Sequence, residues 1–272
     1  MKVLKISITI IFLGLLVYIA HLALLLNPPA WTGFGESVKD PKIEPAKTLF
    51  DWLKLLIIPL SLGLLGWSYK EAEKSKAKKS EEERSRNETL NSFFNVITDL
   101  LQNHNLAVQP NVQTKALAKT RINMALSLLD GARKEQVLQF LYESDLIDRN
   151  PKLKLLGANF NNSILDQIVL GNSEIRGAYF KNASLKNSNL NEIILNSSNL
   201  ERANLSGSLV ENADFGYTNL KKSILKNMDL TSVDFEGADL TKANLKGSTI
   251  TQAQLDSIIH KNKIKLSKKR II

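Results

Sequence analysis

The 272 residues contain no cysteine, so disulfides, thiolate metal ligands and a thiol nucleophile are all excluded, and the redox compartment is left undecided. Histidine is scarce, with only His21, His104 and His260, far apart in sequence. No His and carboxylate spacing suits a metal, and no glycine-rich loop is built to cradle phosphate. A hydroxyl nucleophile would need a base, and no motif supplies one. The expectation is a non-enzymatic chain with no cofactor, no metal and no small-molecule substrate.

Both ordinary periods are also missing from the C-terminal part. In "ERANLSGSLVENADFGYTNL", residues 201–220, a bulky apolar side chain falls on every fifth residue. On an α-helix a step of five scatters side chains around the cylinder, and on a strand it sends them to alternate faces. The chain must turn once per five residues, which makes the unit a repeat.

The repeat centres are Leu155, Phe160, Leu165, Leu170, Ile175, Phe180, Leu185, Leu190, Leu195, Leu200, Leu205, Val210, Phe215, Leu220, Leu225, Leu230, Phe235, Leu240, Leu245, Ile250 and Leu255. Two residues before each centre the side chain is usually small, as at Ala158, Ser163, Ala203 and Ser208; Leu153, Ile168, Ile193, Met228 and Val233 are exceptions. Residues i and i−2 of an extended segment share a face, so one large and one small group point into a narrow interior. Polar residues between them suit turns and water. These centres are the structural core.

"GANF", "RANL", "NADF", "GADL" and "KANL" resemble the A(D/N)LXX motif of pentapeptide-repeat proteins. The resemblance implies a right-handed, quadrilateral parallel β-helix with four pentapeptides per coil. Phe160 and Phe180, and Phe215 and Phe235, form two pairs spaced by 20 residues, as rings stacked on successive coils would be. The repeats make about five coils, roughly 25 Å at ~4.8 Å per coil. "TITQAQLDSIIH" breaks the rhythm and reads as a short capping helix with Leu255, Ile258 and Ile259 on one side. The tail "KNKIKLSKKRII" has six basic residues and no acid; such ends are most often solvated, although they can touch anionic partners.

The N-terminal third has another character. An uncharged stretch from Ile6 to Pro29 exceeds the roughly 20 residues that span hydrocarbon, and a transmembrane helix is expected over about 6–27. A second is expected over about 49–69, kinked at Pro59, with Trp52, Trp67 and Tyr69 as membrane-interface anchors. Its uncharged part, Leu55 to Tyr69, is short enough that a re-entrant segment is the rival reading. Seven Lys or Arg from Lys70 to Arg86 place both termini in the cytoplasm of a bacterial inner membrane. "WTGFGE" leaves no room for a pore helix before Thr32, so Gly33 and Gly35 read as turn residues.

From Lys70 to Glu88 the chain is charged on every side and reads as a solvated helical stalk. Three amphipathic patterns follow: Leu90, Phe93, Phe94, Ile97, Leu100 and Leu101; Leu117, Met124, Leu128 and Leu129; Val137, Leu138, Leu141 and Leu146. They predict a small helical domain that caps the first coil, forms a dimer interface or receives a partner. The expected fold class is a membrane-anchored α + β-solenoid. Its expected domains are a two-span anchor (1–69), a stalk and helical domain (70–150), the β-helix (151–257) and a cap end with a basic tail (258–272). "KTLFDWLKLLIIPL" and "LSLLDGARKEQVLQFLYESDLI", together with the repeats, resemble bacterial two-span membrane pentapeptide-repeat proteins, a resemblance that carries no activity with it.

Between residues 151 and 255 eleven basic and ten acidic residues nearly cancel. That disfavours both an acidic mimic of duplex DNA and direct nucleic-acid binding. The remaining expectation is a membrane-anchored scaffold or adaptor presenting a rigid surface to an unidentified protein partner, with homo-oligomerisation open. The alternative is a topoisomerase-directed or nucleic-acid-related binder.

Overall fold

The computed structural model describes residues 49–148 and 150–266, with side chains from residue 59 onward. The expected span over 6–27 lies outside the described residues. The chain divides into two units, Met1–Ser80 and Glu81–Ile272. Four helices are described: α1 (Leu49–Asn103), α2 (Val112–Leu128), α3 (Gly131–Glu143) and α4 (Gln252–Ser257).

The first unit corrects the membrane expectation. No helix of the described residues is long and apolar enough to cross a membrane. The cause lies in α1 itself, which continues through Pro59 into the charged stretch after Tyr69. Its uncharged segment from Leu55 to Tyr69 rises only about 22 Å, short of the ~30 Å hydrocarbon layer. The predicted span at 49–69, the inner-membrane location and the anchoring role of Trp52, Trp67 and Tyr69 fall together. Trp67 and Tyr69 are simply exposed on the helix, and the side chain of Trp52 lies outside the described ones.

In the second unit the helices and repeats share one apolar core. The end of α1 buries Leu90, Phe93, Ile97 and Leu100, and α3 buries Val137, Leu138 and Leu141. Asn111 and Asp130 accept from the Thr114 and Arg133 backbone N–H groups, starting α2 and α3 where "PN" and "DG" stand in the sequence. The inward face of α2 differs from the expected one: Ala118, Ile122, Ala125 and Leu126 are buried, whereas Leu117, Met124 and Leu128 are 43%, 53% and 52% exposed. Alanines on the inner face let α2 approach closely, and because large apolar residues lie on both faces, with Ile122, Leu126 and Leu129 buried, size alone does not choose the stripe.

Residues 155–250 form a coil with parallel bridges that repeat every 20 residues, from Asn159 with Tyr179 to Asp229 with Thr249. At Ser184, for example, the N–H donates to the Ser163 carbonyl at 2.9 Å, and its carbonyl accepts from Leu165 at 2.7 Å. The expected β-strands are absent among the described residues; the ladder is made of isolated bridges. Geometry accounts for this. A turn consumes most of each five-residue side, leaving a single residue to pair before the next corner.

Most corners share one form. The N–H three residues after a centre donates back to that centre's carbonyl, as from Ala203 to Leu200 at 2.9 Å, and the residue between, Arg202, has φ 60°. That bond and that angle are the requirements of a type II turn. Most such corners carry Asn, Lys or another L residue despite the left-handed backbone. At Gly207, with φ +73°, an added Cβ would lie 2.4 Å from Asn187 Oδ1, so a larger residue there would have to turn that side chain aside.

Both ends of the coil are covered. At the first coil, the Gly131 carbonyl accepts from Ile164 N–H at 3.3 Å and the Ile147 carbonyl from Glu174 N–H at 2.8 Å. At the last, α4 carries a Thr251/Gln254 capping box, and Gln254 Nε2 donates to the carbonyls of Leu230 and Val233 at 2.6 and 2.7 Å. Leu255 sits on α4 partly buried and Ile258 is buried, but Ile259 is exposed and its N–H donates to Ala238. The chain then rejoins the coil one residue out of step: Asp239 bridges His260 and Asn244 bridges Lys265. Residues 260–265 thus extend the ladder and are not a frayed end.

Candidate interaction surface

Inside the coil there is no room for chemistry. Every centre from Leu155 to Ile250 is buried, and Phe160 stacks on Phe180 at 5.0 Å while Phe215 and Phe235 lie 6.0 Å apart. The small residue two before a centre does more than save space. Ser198 Oγ accepts from Ala178 N–H at 3.1 Å and donates to the Ile175 carbonyl at 3.1 Å, linking two coils through the interior. Ser208 and Ser248 do the same. The hydroxyls of Ser173 and Ser223 are buried with no hydrogen-bond partner among the described residues.

Outside, an Asn or Asp before a centre builds the corner, whereas Ile164, Val169, Tyr179 and Leu209 stand exposed in the same place. Asn199, Asn204, Asp214, Asp229, Asp234 and Asp239 each accept from the backbone N–H two residues on. These carboxylates therefore serve the turns. Hydrogen bonds from the Thr231 hydroxyl and N–H hold Asp229 below the ordinary carboxylate range, against partial burial.

The 20-residue period sorts the charges by edge, which the linear sum conceals. Arg202, Lys222 and Lys242 stand at one corner on successive coils, with Lys226 and Lys246 on the adjoining side. The slipped final coil adds Lys263, whose φ of 60° is that of the same corner, and Lys265, bridged to Asn244. Half a coil away, Glu211, Asp214, Asp229, Asp234 and Glu236 occupy the opposite edge with no basic residue between Glu211 and Lys221 or between Asp229 and Lys242. Elsewhere charges pair across neighbouring coils: Lys186 with Asp166 at 3.0 Å, Lys181 with Glu201 at 2.8 Å and Lys221 with Asp239 at 3.0 Å.

The helical part is held by a second charged group. Arg133, nearly buried, donates to Asp130, to Glu83 at 2.6 Å and to Asn87 at 2.9 Å, joining α1 to the start of α3. Its hydrogen bond holds the Glu83 carboxyl below the usual range. A cleft of about 220 Å³ beside α1 and α2, bordered by Glu88, Phe93, Arg121 and Met124, is smaller than the ~300 Å³ at which ligand pockets begin. Among the described residues no group of three or more His, Asp or Glu gathers to hold a metal.

A family profile described as pentapeptide repeats matches residues 154–191, 173–212 and 211–247. A pentapeptide-repeat protein from the cyanobacterium Cyanothece 51142 is 26% identical, with 44% of this chain and 86% of that one covered and a TM-score of 0.31. HetL from Nostoc sp. PCC 7120 is 20% identical over 42% and 68% of the two chains, with a TM-score of 0.26. A pentapeptide-repeat protein of the Arabidopsis thaliana thylakoid lumen is 24% identical over 36% and 61%, with a TM-score of 0.24. No curated protein matches the chain.

Proposed function

We propose that this chain, a pentapeptide-repeat protein over residues 154–247, is a non-catalytic scaffold whose coil offers a rigid surface to a protein partner. Such coils are a fold used for protein–protein interaction, and the interior of this one is closed by its own side chains. The observation that carries the reading is the sorting of exposed charge onto two edges fixed by the backbone ladder, in a repeat whose net charge is close to zero. A rigid surface loses little conformational freedom on binding, so its charges can act as a template.

The test is crosslinking capture with the whole chain from its native cell extract. A partner should be retained by the natural sequence and lost when Lys222→Glu and Lys242→Glu are combined. Equal recovery with both sequences would contradict the scaffold reading.

The basic edge also supports a second reading, a nucleic-acid-related or topoisomerase-directed binder, since an acid-free row of lysines suits a phosphate backbone. Retention of duplex DNA that weakens steeply with salt would favour it.

A further inference from the structure

Like charges are stacked on like along both edges. The corner of Lys242 lies one coil above that of Lys222, and Asp214 bridges directly to Asp234. Successive coils are ~4.8 Å apart, and like charges facing each other across a ladder are destabilising. Among the described residues, Lys222, Lys226, Lys242, Lys246, Lys263 and Lys265 have no carboxylate within 4.0 Å, and neither Glu211, Asp214, Asp229, Asp234 nor Glu236 has a cation within that distance. The same chain pairs opposite charges across coils where the sequence permits, as with Lys181 and Glu201. The two edges therefore carry charge that forms no close ion pair among the described residues, although the aspartates accept corner N–H groups and Glu236 accepts from Tyr217.

The edges match in three ways. They lie in the same coils, since the lysines at 222–246 and the acids at 211–236 overlap in sequence from 222 to 236, three quarters of a coil. They lie half a coil apart, on opposite sides. Their charges repeat with one pitch, because both are set by the same 20-residue ladder. Two combs of equal pitch and opposite sign mesh when one copy is set beside another in parallel. A flexible acidic segment or a nucleic acid has no such built-in agreement of spacing.

We propose that the basic edge of one chain docks against the acidic edge of a second copy, side by side. The contact is heterologous, so a row of any length keeps one free basic edge at one end and one free acidic edge at the other, and rows can grow. The proposal rests on the scaffold reading and names one partner for its surface.

Sedimentation velocity on the full chain tests it. At about 0.01 M salt, where the screening length is ~30 Å, the natural protein should form species that grow with concentration. At about 1 M salt, with screening reduced to ~3 Å, they should disperse. Two variants isolate the edges: Lys222→Glu with Lys242→Glu, and Glu211→Lys with Glu236→Lys. These sites avoid the aspartates that build corners, and Glu192 already occupies a corner with φ 57°, so the backbone accepts Glu there. Each variant alone should fail to self-associate. Mixed in equal amounts they should associate again, because the natural acidic edge of one variant meets the natural basic edge of the other.

Association that ignores salt, or that persists in either variant alone, overturns the proposal. A mixture that forms no new species does the same. A natural protein dispersed at every salt concentration, yet retaining duplex DNA through Lys222 and Lys242, assigns the basic edge to nucleic acid instead. If self-association fails while crosslinking capture remains edge-dependent, the scaffold reading stands without this partner.

Discussion

The ring of Phe160 lies 5.0 Å from that of Phe180, tilted by only 16°. Twenty residues separate them, so one ring contact reports the whole winding: four corners, four inward centres and a return to the same side one coil higher. Leu205 belongs to this interior and is fully buried. Leu205→Ala should cost about 2 to 5 kcal/mol, the range of core truncations, read as a fall in the thermal midpoint. Glu201→Gln and Lys221→Gln each break one pair whose lysine is half-exposed and should lower the midpoint far less than Leu205→Ala.

The serines offer a sharper contrast at constant chemistry. Ser198→Ala strips the acceptor from the buried Ala178 N–H and should destabilise by about 1 to 3 kcal/mol. Ser223→Ala removes a buried hydroxyl that has no hydrogen-bond partner among the described residues, and should be neutral or stabilising. Chemical denaturation of the two variants side by side checks the sign.

Much of this was readable beforehand. The period of five, the inward centres and the pairing of phenylalanines follow from steric rules that act within a few residues. The α2 face was not readable by size, because Ala118 and Ala125 are selected by closeness to the core, a tertiary property. The membrane reading rested on apolar composition, whereas α1 has too short an uncharged run. The charged edges escaped for another reason: Lys222 and Lys242 are neighbours only once the chain is written in rows of twenty. The one-residue slip before His260 has no local signal, since α4 absorbs it.

Gly131 marks the join of helices and coil. A Cβ there would stand 2.6 Å from the Asn162 carbonyl oxygen, backbone against backbone. Intrinsic helix propensity alone would make Gly131→Ala favourable by about 1 kcal/mol. The clash should reverse the sign, with a net loss of about 1 to 3 kcal/mol. Limited proteolysis of this variant should open residues 81–148 before the repeats.

Acid should weaken the coil through its corner carboxylates. Asp229 is held down by hydrogen bonds from Thr231, opposed by burial, and Asp239, despite burial, by bonds from Thr241 and by Lys221. Each folded value lies below the unfolded one, near ~3.9. Their contribution is therefore complete above that pH and is lost as pH falls through the folded values. Melting between about pH 5 and pH 2 should show this loss. Asp229→Asn, which keeps the Oδ1 acceptor, should flatten the dependence.

The winding itself is tested most directly by thermal unfolding of insertion variants at the junction of Leu205 and Ser206. One added residue rotates every later centre out of the interior, whereas a duplicate of residues 206–225 adds one complete coil. The single insertion should lower the midpoint sharply, and the twenty-residue insertion should leave it close to the natural value. A single insertion that melts like the natural chain would contradict the five-residue register.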